Sequence, residues 1–76
     1  LTPTEWALLT FLIKRARRPI RRQWLIDAIL PGEESGDDAL HAQISRLRKK
    51  LGEHAWRIRT VWGIGYKFDP GEETNA

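Results

Sequence analysis

The stretch DALHAQISRLRKKL, residues 38–51, gathers side chains that could act on a polyanion. Arg46, Arg48, Lys49 and Lys50 place four cations within five residues, beside Gln43 and Ser45, which can hydrogen-bond. At about 100° per residue, Leu40, Ile44, Leu47 and Leu51 fall on one helical face. Asp38, Ala42, Ser45, Arg46 and Lys49 then point away from it. His41 and Arg48 lie on one flank, Gln43 and Lys50 on the other. Ala42 and Ser45 are small enough for such a helix to enter a DNA major groove, about 12 Å wide. There Arg46 suits a bidentate contact with guanine, and Gln43 suits adenine or a phosphate. Arg48, Lys49 and Lys50 suit phosphates and would set register. Cations that merely complement the helix macrodipole would account for one or two of these residues. They would not account for an outward face with no Glu after Asp38. For His41, base contact and a partly packed surface position both stay open.

A second stretch, WRIRTVWGIGYKF at 56–68, alternates like a strand up to Val61, turns on its glycines and returns through YKF. Its GIG is no dinucleotide loop, which needs a third glycine and a following helix. Tyr66 and Phe68 are expected to close the core beside the helix at 38–51. Arg59 and Lys67 would supply charge if this hairpin meets DNA. Trp62 and Ile64 are apolar and could pack on sugars, on a partner or on neighbouring protein. Arg21 and Arg22 precede another helical stretch, where they either meet phosphates or are solvated.

These groups need elements to position them. Thr2 and Glu5 form a capping-box pattern with Pro3 in the first turn. Trp6, Leu8, Leu9, Leu12 and Ile13 then recur at helical spacing and read as core, in a helix running to about Arg17 before Pro19. Trp24, Leu25, Ala28 and Ile29 mark a second helix, ended by Pro31 and Gly32. Ser35 or Asp37 can cap the third, and Gly52 ends it. Three helices and a small hairpin make a mainly α fold, a winged helix-turn-helix over residues 1–68. The polar tail, residues 69–76, has no periodicity and is expected to be loose.

Composition agrees with this reading. Seventy-six residues, 41% of them hydrophobic, make one small domain. The absence of cysteine excludes disulfides and Cys-type zinc sites. His41 and His54 are too far apart in sequence to form a helical metal pair, so neither metal nor cofactor is expected. No apolar run is long enough to span a membrane, which points to a cytoplasmic protein. Seven of the ten acids sit at Glu33, Glu34, Asp37 and Asp38 or at Asp69, Glu72 and Glu73. Elsewhere three acids face all thirteen cations, so the body of the domain is strongly basic and favours nucleic acid.

Three pieces, in order, resemble the DNA-binding domain of OmpR/PhoB-type response regulators. They are LTPTEWALLTFLI (1–13), ISRLRKKLG (44–52) and IRTVWGIGYKF (58–68). The resemblance implies a recognition helix at about 38–51 and a wing at 56–68, in a regulator belonging to a two-component system. It implies base contact by Arg46 and phosphate contacts by Arg48, Gln43 and Thr60. Pro31, Gly32, Glu33, Glu34, Ser35, Gly36 and Asp37 would match the loop through which some members touch RNA polymerase. Relatives often bind tandem half-sites as dimers. Members also carry a four-stranded sheet before the first helix and a receiver domain, which this sequence does not include. Asp38 replaces a basic residue of the family, His41 a frequent Asp, Ser45 an arginine, and Trp62 a wing arginine.

Sequence-specific binding to duplex DNA for transcriptional regulation is therefore the leading expectation. The alternative is a winged-helix interaction module that contacts RNA polymerase or another regulator with little DNA binding. An enzyme is not expected, since no nucleophile–base pair or paired carboxylates stand at useful spacing.

Overall fold

Thr2 and Glu5 start the first helix as their spacing predicts. The Thr2 N–H donates to Glu5 Oε1 at 2.9 Å, and the Glu5 N–H donates to Thr2 Oγ1 at 3.1 Å. The computed structural model describes residues 1–30 and 36–71. Within them the order is α1 (Pro3–Lys14), β1 (Ile20–Arg21), α2 (Arg22–Ile29), α3 (Asp37–Leu51), a 3-10 turn (Gly52–Arg57), β2 (Ile58–Val61) and β3 (Gly65–Phe68).

Several boundaries differ from expectation. α1 stops at Lys14, not near Arg17, because the chain must turn to bring Ile20 onto the sheet. Arg17 takes a positive φ of 72°, a sparsely populated region for a non-glycine residue, and its N–H donates to the Phe68 carbonyl at 2.8 Å. Trp56 and Arg57 belong to the 3-10 turn, so the strand begins at Ile58. α3 is preceded by Gly36 with no side-chain cap, and Asp37 is its first residue. Ser35 lies outside the described residues. Gly52 does end α3, with φ at 60°.

The hairpin gains a third strand. β1 and β2 both pair antiparallel with β3, in the order β1-β3-β2. Tyr66 faces Ile20 on one side and Thr60 on the other, while Gly65 faces Arg21 and Val61. Gly65 is therefore not simply a turn residue. A Cβ there would collide with the Ile20 carbonyl oxygen, and glycine is what lets β1 approach. Gly63 is the turn glycine, with φ at 83°.

Leu8, Leu12, Ile20, Leu25, Ile26, Leu40, Ile44, Leu47, Ile58 and Tyr66 form the core. One expected core tryptophan, Trp6, is not in it, and Trp24 of the second helix lies outside it too. Trp6 is 56% exposed and Trp24 61%, so α1 buries Glu5, Leu8 and Leu12, and α2 buries Leu25 and Ile26. Ile13 and Ala28 are exposed as well. Of the expected tail, residues 72–76 lie outside the described residues, and residues 69–71 are hydrogen-bonded. The Asp69 N–H donates to the Arg57 carbonyl at 2.6 Å, and the Gly71 N–H donates to Asp69 Oδ1 at 2.9 Å.

Glu5, only 1% exposed, is the buried acid of this core. Lys50 Nζ reaches its Oε1 at 2.8 Å, joining the C-terminal end of α3 to the start of α1. That hydrogen bond, with the Thr2 backbone N–H second, holds the Glu5 carboxyl below its ordinary value of 4.5. A depressed carboxylate pKa adds stability above the unfolded value, and that stability is lost as pH falls through the folded value. Glu5→Gln is expected to melt below wild type near neutral pH, with the gap closing as pH drops below 4.5. A gap that stays constant down to about pH 3 would contradict an ionised Glu5.

Candidate nucleic-acid interface

α3 forms because its apolar residues recur on one stripe, with Leu40, Ile44 and Leu47 fully buried. Asp37 and Asp38 suit its N-terminal end, and Arg48, Lys49 and Lys50 its C-terminal end. Burial of the stripe turns Asp38, Ser45, Arg46 and Lys49 to the exterior, all exposed, with Ala42 half-buried between them. The side chains of Arg46, Lys49 and Asp38 make no hydrogen bond or ion pair among the described residues.

The flanks are tied down. Arg48 forks onto the Ile58 carbonyl through Nε at 3.0 Å and Nη2 at 2.7 Å. Nη2 also donates to Thr60 Oγ1 at 3.0 Å, and the guanidinium lies 5.9 Å from the Tyr66 ring centre. One side chain thus fixes the angle between α3 and the hairpin. Because Thr60 accepts from Arg48, its own hydroxyl proton is left to point to another acceptor. On the opposite flank Lys50 is held by Glu5. Gln43 is half-buried beside it, with Oε1 buried and unpartnered among the described residues.

Arg22 joins three elements. Its N–H donates to the Ile64 carbonyl at 3.1 Å, and its Nε lies 3.6 Å from Asp37 Oδ1. Arg21, one residue earlier in β1, is exposed. Between the start of α3 and the hairpin runs an open cleft, lined among others by Arg22, Asp38, His41, Thr60, Trp62 and Tyr66. His41 is exposed on its wall.

At the hairpin tip Trp62 is 89% exposed, and Ile64 is exposed beside it. The turn is closed by the Ile64 N–H donating to the Val61 carbonyl at 2.9 Å. Arg59 and Lys67 are cross-strand neighbours. Strand alternation puts them on the sheet face opposite Ile58 and Thr60. Arg59 also pairs with Asp69 at 3.4 Å. Pro31, Gly32, Glu33, Glu34 and Ser35 of the expected interaction loop lie outside the described residues. Gly36 and Asp37 are seen, with Asp37 engaged by Arg22.

Sequence reasoning missed the internal partners: Glu5 for Lys50, the Ile58 carbonyl for Arg48, Asp69 for Arg59. Only the capping box marked one of them in advance, since it placed Glu5 at the start of α1. Among the described residues there is no cluster of His or acidic residues able to hold a metal ion, and no helix long and apolar enough to cross a membrane.

A family profile described as "Transcriptional regulatory protein, C terminal" matches residues 1–68. The chain is 42% identical over 74 residues to the transcriptional regulatory protein TctD of Salmonella typhimurium, covering 96% of this chain and 33% of that one. It is 41% identical over 78 residues to the transcriptional regulatory protein ResD of Bacillus subtilis, covering 96% and 32%. The chain thus spans about a third of the length of these curated relatives. Among solved structures, the DNA-binding domain of the response regulator AdeR, in complex with an intercistronic region, superposes with a TM-score of 0.80. The two are 28% identical, and the match covers 91% of this chain and 71% of that one.

Arg48→Ala removes the fork and is expected to cost about 1.5–3 kcal/mol of stability, the worth of hydrogen bonds to a charged group. Amide exchange in β2 and β3 should quicken more than in α1. Equal change in both places would show that Arg48 does not hold the hairpin.

Proposed function

The chain belongs to the C-terminal family of transcriptional regulatory proteins, of OmpR/PhoB type, and we propose that it binds duplex DNA sequence-specifically with α3 in the major groove. One observation carries this reading. The cations of α3 divide into those engaged internally, Arg48 and Lys50, and those left free on the outward face, Arg46 and Lys49. A helix decorated only to suit its dipole has no reason to keep that face free of acids beyond its first turn. The small Ala42 and Ser45 let the backbone approach the bases.

In this reading Arg46 makes the bidentate contact with guanine. Lys49 and Arg21 neutralise phosphates, and the Thr60 hydroxyl, aimed by Arg48, donates to another. His41 and Gln43 border the contacted bases. The hairpin is the wing. Trp62 lies against deoxyribose, and Lys67 and Arg59 lend charge at longer range. Two phosphates are neutralised directly per monomer and the hairpin cations add part of two more, so log affinity should fall with log salt at a slope between about −1.8 and −3.6. Pairing of two copies on tandem half-sites, a polymerase contact through residues 31–37, control by a two-component system and a cytoplasmic setting extend the same proposal. The family is one of DNA-binding regulators and not of enzymes.

Anisotropy titrations on matched and mismatched duplexes test it. Arg46→Ala is expected to lose about 1–3 kcal/mol of discrimination at one base pair. Lys49→Ala should weaken all sequences alike and flatten the salt slope by about one. Full discrimination in Arg46→Ala, or salt-insensitive binding to protein with no DNA shift, would overturn the reading.

A further inference from the structure

We infer that Asp38 selects a cytosine in the bound site by accepting a hydrogen bond from its N4 amino group. The inference rests on the major-groove reading above and adds a determinant to it. Two acids open α3, and they are not equivalent. Asp37 faces Arg22, 3.6 Å away, and complements the helix end. Asp38 has no partner among the described residues, is exposed, and shares the outward face with Arg46 and Lys49. A helix lying in the major groove brings its N-terminal residues to base edges. A carboxylate carried there meets phosphates on the rims, which repel it, and acceptors on most base edges, which repel it too. Only cytosine N4 and adenine N6 offer a donor. Adenine sets the N7 acceptor beside its amino group, against the second carboxylate oxygen. Cytosine presents the donor alone. Asp38 therefore tolerates cytosine and penalises the other bases at the point it reaches. Ala42, one turn further on, leaves the approach open.

Site selection from random duplexes, run on wild type, Asp38→Ala and Asp38→Asn, tests this. Wild type should select a motif holding one cytosine that Asp38→Ala no longer requires. Asp38→Asn should move that position toward adenine, because an amide can pair with N6 and N7 together. Replacing the selected cytosine by its analogue lacking the N4 amino group should weaken wild type about tenfold and leave Asp38→Ala unchanged. Three results would overturn the inference. In one, the variants select the wild-type motif but melt lower, which marks a helix-end role only. In another, Asp38→Ala binds all sequences more tightly by one factor, which marks plain repulsion. In the third, wild type selects no motif, which removes the DNA reading itself.

Discussion

A single guanidinium sets where the wing stands. Arg48 reaches from the half-buried flank of α3 to the Ile58 carbonyl and Thr60 Oγ1, crossing between two elements joined only by a short 3-10 turn. Lysine could supply the charge but not the fork, because its ammonium is a point donor without a planar pair of N–H groups. Two residues along, Lys50 does the matching work on the other flank with Glu5. The helix is thus braced from both sides, by α1 and by β2. What remains outward, Arg46 and Lys49 with Ala42 and Ser45, is available because the flanking cations are occupied. Of the paired groups Glu5 is buried and Arg48 half-buried, where leaving a charge without a partner costs more than on an exposed face.

Sheet and wing depend on the same economy of space. β3 runs between β1 and β2, and its first residue has a backbone neighbour where a side chain would go. That contact, with the Arg22 N–H on the Ile64 carbonyl, anchors the wing turn to the start of α2. Trp62 is therefore presented on a fixed support while staying almost wholly in solvent. Because the backbone carrying the indole is supported, only its side-chain rotamer has to be ordered when it stacks or packs on a partner. The cations of the hairpin, Arg59 and Lys67, stand on the face away from α3.

Much of this was legible in the residues. The Thr2–Glu5 cap, the leucine stripe of α3, the flanks on which His41, Arg48, Gln43 and Lys50 fall, and the stop at Gly52 all follow from local spacing. The misplacements share a cause. A helical wheel gives relative angles but not which edge of a wide apolar stripe meets the core, so Trp6 and Ile13 were expected inside. β1 has two residues and carries no periodicity. Gly65 looked like a second turn glycine, because its neighbour comes from a strand more than forty residues earlier. The bond from Lys50 to Glu5 carried no signal in the sequence, because the two residues lie 45 apart. Charge that is paired through the fold looks the same in sequence as charge that is free.

The most direct test of α3 as a major-groove reader is chemical protection of guanine N7, which lies on the groove floor. In a bound duplex carrying a selected site, wild type should shield at least one guanine N7 from methylation. The same guanine should react freely when Arg46→Ala occupies the site at saturating concentration. Uniform methylation under wild type, or a footprint identical in Arg46→Ala, would contradict the placement of α3 and of Arg46 within it.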